Sequence, residues 1–176
     1  MTLKKVGRSF YTNQGLLSLY GGVEVWQGYF QSVRLTPGKM MINIDLHATA
    51  FYESGDLIQI VAKILGKSSV DDLREITDGD RTKLSKALKD LKVYVTHRGE
   101  NASKRHFRIV KISNISAANN KVEIDDGRQT DVASYFERTY NRRLQYPFLP
   151  CVIVRKTTCL PMEVCNVVEV LYVNIT

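Results

Sequence analysis

The stretch Lys92-Val-Tyr-Val-Thr-His97 alternates valine with larger or polar side chains, which is the period of a half-buried strand. A second strand is predicted across Phe107–Ile112, a helix across Val132–Arg142 and a short buried strand across Cys151–Val154. Asp125-Asp126-Gly127 has the composition of a turn between strands. Short strands around a hairpin and a helix predict an α+β domain with a small, barrel-like sheet.

Helical spacing precedes this region. Apolar residues after Asp56 form one stripe that ends at Gly66, so Asp56 and Gly66 are the predicted cap and stop of a first helix. The segment that begins at Ser69 is similar to a capping box and opens a second, short helix. Thr77 is predicted to start a third helix, which has leucines on its buried side and lysines on its solvated side. The solvated lysines are Lys83, Lys86 and Lys89.

The first forty residues are rich in glycine and aromatic residues, which predicts short strands and turns. Pro37-Gly38 indicates a turn before Met40–His47. Within that segment Ile42, Ile44 and Leu46 alternate with polar residues. This pattern predicts a half-buried strand.

Basic charge is concentrated in one segment of the chain, which has a net charge of +7. Between Lys92 and Lys156 thirteen Lys/Arg residues are interleaved with histidines, tyrosines and phenylalanines, against six acidic residues. Clustered cations attract phosphates, and aromatic faces stack on bases. The segment therefore indicates a nucleic-acid site, while the alternative is that most of its rings belong to the core of a β-rich domain.

Other classes of protein receive less support. No apolar stretch approaches the roughly 20 residues that span a bilayer, and the first residues are unlike a secretory signal, so we expect an intracellular protein without a membrane partner. Cys151, Cys159 and Cys165 lack the spacing of a zinc site and are expected to be reduced and buried. We expect no metal, no other cofactor and no small-molecule substrate. The histidines have no recognisable nucleophile or carboxylate pair, so an enzyme is not predicted.

Three stretches together resemble the Argonaute family. The first combines Gly7-Arg-Ser-Phe10 with Val23-Glu-Val-Trp-Gln-Gly-Tyr-Phe-Gln-Ser-Val-Arg34 and is similar to the linker that precedes the PAZ domain. The second, Ile42-Asn-Ile-Asp-Leu-His-Ala-Thr-Ala-Phe-Tyr52, is similar to the start of PAZ. The third combines Tyr146-Pro-Phe-Leu-Pro-Cys151 with Leu160-Pro-Met-Glu-Val-Cys-Asn166 and is similar to its end. The resemblance implies a first-linker region over 1–41, a PAZ domain over 42–170 and a divergent tail over 171–176.

For the fold, the resemblance implies a small OB-like β-barrel with an inserted hairpin-helix module and N-terminal helices. For function, it implies a non-catalytic module that anchors the 3′ end of small guide RNAs, including two-nucleotide overhangs, in RNA silencing. It also implies silencing-complex proteins as further partners and a cytoplasmic location, with the nucleus as an alternative. The residues that match the family's RNA-binding positions are His97, Arg105, Phe107, Arg108, Tyr135, Arg138, Tyr140 and Lys156.

Some positions depart from the family pattern. Phe107 stands where a tyrosine is usual and Thr139 where a lysine is common, and Asn119-Asn120-Lys121 occupies the region of the usual hairpin phenylalanine. These departures motivate an alternative function, a protein-interaction or decoy module with weak RNA affinity. We recognise no MID or PIWI region in this sequence, so cleavage of RNA by this chain is not expected.

Overall fold

The structure, a computed structural model, describes residues 3–74, 76–97, 105–123, 127, 129–155 and 158–169, together with the backbone of 171–172. The described chain forms two compact units. The first contains residues 3–53 and the short strand 171–172, and the second contains residues 54–169. This division falls after Glu53, whereas the resemblance puts the start of PAZ at Ile42; the domain assignment stays a prediction.

The first unit is an antiparallel sheet with the strand order β1-β2-β3-β4-β13. Its strands are β1 (Leu3–Val6), β2 (Ser9–Leu19), β3 (Val23–Thr36), β4 (Lys39–Tyr52) and β13 (Leu171–Tyr172). Strands β3 and β4 pair continuously, from Val23 opposite Tyr52 to Thr36 opposite Lys39. Gly38 has φ 84° in the turn between them, a conformation that glycine adopts without strain.

A small aromatic core holds this unit together. The rings of Trp26 and Phe51 lie 5.1 Å apart between centroids, and Tyr11 meets Phe51 edge-on at 5.0 Å. All three side chains are buried. Gly28 lies beside this core, where a Cβ atom would come within 2.5 Å of the Tyr11 ring. The close approach of β2 and β3 therefore requires a glycine at this position.

The half-buried pattern predicted for Met40–His47 is wrong. The segment is a strand, but Ile42, Ile44 and Leu46 are 69%, 59% and 83% exposed. Alternation places these side chains on one face of β4, as predicted. That face is largely exposed at this end of the β3–β4 hairpin, since the aromatic core of the unit forms around Tyr11, Trp26 and Phe51.

The second unit combines strands with three α-helices. Its strands are β5 (Gly55–Asp56), β6 (Lys92–Val95), β7 (His106–Ser116), β8 (Lys121–Glu123), β9 (Gln129–Asp131), β10 (Pro150–Val154), β11 (Thr158–Pro161) and β12 (Cys165–Val167). Its α-helices are α1 (Leu57–Leu65), α2 (Asp78–Leu88) and α3 (Val132–Tyr140), and short 3-10 turns lie at Asp71–Arg74 and Met162–Val164. The predicted α+β class, the N-terminal helices and the hairpin-helix insertion are confirmed.

Helices α1 and α2 begin and end close to the predicted residues. Asp56 is the N-cap residue of α1, but its side chain makes no cap hydrogen bond, and Gly66 ends the helix with φ 69°. Thr77 caps α2 through a reciprocal capping box with Asp80. The Thr77 backbone N–H lowers the pKa of the Asp80 carboxyl. The segment after Ser69 is a single 3-10 turn rather than a helix.

Six strands form an open sheet in the order β11-β10-β7-β6-β12-β5. The strands β11 and β5 are its two ends, so the described residues show no closed barrel. The strands β8 and β9 form a separate hairpin that leads directly into α3. The core between this sheet and its helices contains fully buried leucine, isoleucine and valine side chains, among them Leu84, Leu88, Ile109 and Val152.

Among the described helices, none combines the length and the apolar character needed to cross a membrane. None of the three cysteines forms a disulfide. Cys151 and Cys165 are buried, as predicted, but the predicted burial is wrong for Cys159, which is half-buried. The predicted turn at Asp125 and Asp126 lies outside the described residues.

Candidate nucleic-acid interface

Four aromatic rings meet where the end of β6 faces α3. The His97 ring lies 4.4 Å from the Tyr140 ring and 5.0 Å from the Phe136 ring, measured between centroids, in edge-on arrangements. Tyr135 lies 6.0 Å from Tyr140 and 5.9 Å from Phe136. We call His97, Tyr135, Phe136 and Tyr140 the aromatic cluster. Phe136 is buried, and the other three rings are half-buried.

The N-terminus of α3 is anchored to the turn between β7 and β8. The Asp131 Oδ1 atom accepts a hydrogen bond of 2.7 Å from the Ser134 backbone N–H, and this bond lowers the pKa of the Asp131 carboxyl. The two N–H groups before Ser134 donate to the turn itself: Val132 to the Asn120 carbonyl at 3.0 Å and Ala133 to the Ala117 carbonyl at 3.3 Å. The helix therefore starts at a defined place on the sheet.

The C-terminus of α3 is anchored to the end of β6. Asn141 ends the helix in the left-handed conformation and donates its N–H to the Phe136 carbonyl. Arg142 then donates from Nη1 to the Thr96 hydroxyl at 3.2 Å. Thr96 precedes His97 and donates its own N–H to the Val164 carbonyl at 2.9 Å. These contacts hold the Tyr140 ring against the His97 ring.

The predicted basic-aromatic group lies at the start of β7. Phe107 is paired with Val93, which is fully buried, while Arg108 is paired with Lys92 and is exposed. Directly opposite residues share a face of a sheet and successive residues alternate, so Phe107 and Arg108 lie on opposite faces. Arg108 Nη1 lies 3.7 Å from the Asp90 carboxylate, an exposed ion pair of low stability.

Phe107 has a cationic neighbour that was not among the predicted site residues. The Arg155 guanidinium lies 5.6 Å above the centre of the Phe107 ring, a cation–π contact. Arg155 follows β10 with φ 59°. Lys156, the predicted basic residue of this loop, lies outside the described residues. The signal that could have indicated Arg155 is its position directly before Lys156 in the sequence.

The remaining predicted residues are exposed cations. Arg105 directly precedes β7, and the pairing of Tyr94 with His106 brings it to the end of the sheet that carries His97. Arg138 lies in the last turn of α3. The structure thus brings His97, Tyr135 and Tyr140 into contact and leaves the arginines around them exposed.

The arrangement of the two tyrosines differs from a simple helical projection. Residues five apart are about 140° apart around a helix axis, which predicts two sides of a crevice. The rings of Tyr135 and Tyr140 nevertheless meet edge-on, because helical side chains lean toward the N-terminus and Tyr140 turns back over Phe136. Phe136 itself was missed as a site residue, although its i, i+4 spacing to Tyr140 was a usable signal.

The described residues contain no group of His, Cys, Asp and Glu side chains that could hold a metal ion. The interface contains aromatic rings, phenol and imidazole hydrogen-bonding groups and exposed cationic side chains. Such groups suit a phosphate backbone and an unstacked base.

Comparison with known proteins agrees with this chemistry. Residues 61–176 match the family model of the PAZ domain, and residues 5–53 match that of the Argonaute linker 1 domain. The chain belongs to the PAZ domain family of Argonaute proteins and carries the Argonaute linker 1 domain ahead of PAZ.

Solved structures of Argonaute proteins resemble this chain. The Drosophila Argonaute 2 PAZ domain, described for its recognition of nucleic-acid 3′ ends, is 25% identical with a TM-score of 0.52, over 66% of this chain and 95% of that one. A Drosophila Argonaute PAZ domain in complex with 3′-end 2′-O-methylated RNA is 25% identical with a TM-score of 0.55, over 66% of this chain and 100% of that one.

A full Argonaute with a guide RNA, from Kluyveromyces polysporus, has a TM-score of 0.67 at 20% identity. The alignment covers 96% of this chain and 21% of that protein, so this chain spans about a fifth of its length. At this identity the likeness shows the fold alone.

Proposed function

We propose that this chain anchors the 3′ end of small guide RNAs, as single strands or as two-nucleotide overhangs, without performing chemistry on them. The observation that carries the proposal is the contact of His97, Tyr135 and Tyr140 over Phe136, in a domain whose relatives are described as recognising 3′ ends. Residues that match the family's RNA-binding positions are thus assembled from a strand end and a helix.

The chemistry of the aromatic cluster fits a terminal nucleotide. The phenol groups can donate to phosphate oxygens, and the ring faces can stack on a base. Neither contact depends on which base is present. A module that holds guides of many sequences requires this tolerance, and the exposed Arg105 and Arg138 add attraction to the backbone that is equally independent of sequence.

The OB-like barrel that the resemblance implies remains part of this proposal, because the described residues show an open sheet. The open six-stranded sheet would supply one wall of the binding crevice, and the β8–β9 hairpin with α3 would supply the other. A role in RNA silencing with other silencing-complex proteins, in the cytoplasm, also remains our proposal for the biological setting.

The test is a titration of the purified chain with three fluorescent RNA duplexes at two salt concentrations. One duplex has a two-nucleotide 3′ overhang, one is blunt and one has a 3′-phosphorylated overhang. Stacking of one base contributes about 1–3 kcal/mol, so we expect the free overhang to bind at least about fivefold more tightly than the blunt duplex. Equal and steeply salt-dependent binding of all three would show only a basic surface and would overturn the proposal.

A further inference from the structure

A polar cleft of about 400 Å³ lies in the second unit beside the aromatic cluster. This volume is at the small end of the range for ligand sites and suits one nucleotide unit. Its lining contains two arginines, two carboxylates and amides. The residues that matter here are Asp56, Gln59, Thr96, Arg142, Arg143 and Asn166.

The cleft and the aromatic cluster are built from the same two chain segments. Thr96 lines the cleft and His97, the next residue, belongs to the cluster. Arg142 lines the cleft and follows Tyr140 by one intervening residue, Asn141. The hydrogen bond from Arg142 to Thr96 joins the two segments. The cleft and the aromatic cluster therefore adjoin through these two segments.

Two charged groups of the cleft, Arg143 and Asp56, are available for a ligand. Arg143 is exposed and makes no hydrogen bond or ion pair with any described residue. Asp56 occupies the N-cap position of α1, yet its side chain makes no cap hydrogen bond. The other carboxylate of the lining, Glu163, is already engaged, because it accepts the backbone N–H groups of Gln145 at 3.2 Å and Tyr146 at 2.8 Å.

This combination of groups matches a ribose-phosphate. Guanidinium groups bind phosphate oxygens with two parallel hydrogen bonds, and Arg142 and Arg143 provide two such groups. A carboxylate accepts a hydrogen bond from a ribose 2′-hydroxyl, the group that distinguishes RNA from DNA. A site for a phosphate alone would not be expected to contain the Asp56 carboxylate, because the two negative charges repel each other.

We propose that this cleft holds one ribose-phosphate of the RNA strand whose 3′ end occupies the aromatic cluster. Arg142 and Arg143 bind the phosphate, and Asp56 accepts from the 2′-hydroxyl. The inference rests on the proposed function, because the 3′ end must lie in the cluster for the strand to pass through the cleft. It adds a site that selects RNA over DNA near the bound end.

The first experiment compares Arg143→Gln with Lys86→Gln, a matched loss of one charge on the solvated face of α2. With the overhang duplex as the probe, Arg143→Gln should weaken binding about three- to tenfold and reduce the slope of log K against log salt by about 0.7–0.9. It should retain the preference for a free 3′ end. Affinity and slope equal to those of Lys86→Gln would overturn the proposal.

The second experiment tests the ribose contact. Single 2′-deoxy substitutions are placed in turn at each of the nucleotides nearest the 3′ end of the overhang strand. The wild-type chain should lose about tenfold in affinity at one position inside the terminal nucleotide, which is roughly the effect of one hydrogen bond to a charged group. Asp56→Ala should abolish that sensitivity while circular dichroism shows the native spectrum. Sensitivity that persists in Asp56→Ala, or that occurs at no position, would overturn the inference.

The two proposals fail in different ways. If the wild-type chain shows no preference for the free 3′ overhang, the proposed function is wrong. If that preference is present and Arg143→Gln binds like Lys86→Gln, only the ribose-phosphate cleft is wrong.

Discussion

The rings of His97 and Tyr140 are in edge-on contact, with their centroids 4.4 Å apart at an interplanar angle of 66°. One residue follows a strand and the other ends a helix, so this contact exists only when the insertion is folded onto the sheet. Both rings are half-buried. The contact therefore links the stability of the insertion to the proposed binding of RNA.

Removing the Tyr140 hydroxyl should separate these two roles. Tyr140→Phe keeps the ring and its packing, so the melting temperature should stay within about 2 °C of the wild type, as for other surface substitutions within about 0.5 kcal/mol. RNA binding should weaken about tenfold, because a hydrogen bond to a charged phosphate is lost. Fluorescence anisotropy measures the affinity. Tyr20→Phe removes a hydroxyl from the first unit and is the control; equal affinities for the two variants would contradict the prediction.

Phe136 should determine the stability of the aromatic cluster. It is 3% exposed and contacts three rings, so Phe136→Ala should cost about 3–5 kcal/mol of unfolding free energy. Leu46→Ala also truncates a large apolar side chain, but at a position that is 83% exposed, and should change the unfolding free energy by less than about 0.5 kcal/mol. Urea denaturation measures both values. A cost for Phe136→Ala close to that of Leu46→Ala would show that the cluster is not packed as described.

The cap of α3 should make stability depend on pH. The pKa of the Asp131 carboxyl is lowered below 3.8, chiefly by the Ser134 N–H, so the ionised form is favoured in the folded state. Its contribution to stability is present above the unfolded pKa, and it is lost as pH falls through the lower, folded pKa. Asp131→Asn keeps a good cap but has no charge to titrate.

Unfolding of the wild type and of Asp131→Asn should therefore be compared from pH 7 to pH 3. We expect the stability difference between the two to change in the acidic range, with the wild type losing more. Asp131→Ala, which removes the cap at every pH, should cost about 1 kcal/mol at neutral pH. A constant difference between wild type and Asp131→Asn across the range would rule out the titration.

The buried thiols should be unreactive in the folded chain. Burial raises the pKa of Cys151 to about 12, with a smaller contribution from Cys159, and burial also raises the pKa of Cys165. Alkylation requires the thiolate, so at pH 8 iodoacetamide should modify neither residue in native protein and both in urea. Peptide mass spectrometry measures the extent of alkylation at each cysteine. Rapid modification of Cys151 in native protein would show that β10 opens readily.

Local features of the fold were predictable because they depend on neighbouring residues. Asp56 and Gly66 bracket α1 as the cap and stop patterns predict, and Thr77 begins α2. The position of α3 was also predictable, since Val132–Tyr140 lies inside the predicted helix. Each of these depends on residues within a few positions of one another, and the sequence contains that information directly.

Long-range features were not predictable in the same way. The alternation in β4 indicated a strand, but whether its apolar face is covered depends on what packs there, and no local pattern encodes that. The role of Phe136, the cation–π contact of Arg155 with Phe107 and the opposite faces of Phe107 and Arg108 all follow from pairing between distant segments.

By itself the sequence determined the family, the positions of α1, α2 and α3 and the residue types available for binding RNA, because motif and periodicity are properties of consecutive residues. The tertiary structure alone decided which of those residues meet. His97 faces Tyr140 because the turn after β7 anchors one end of α3 and the bond from Arg142 to Thr96 anchors the other. Hydrogen bonds between segments far apart in the chain thus create both the aromatic cluster and the cleft beside it.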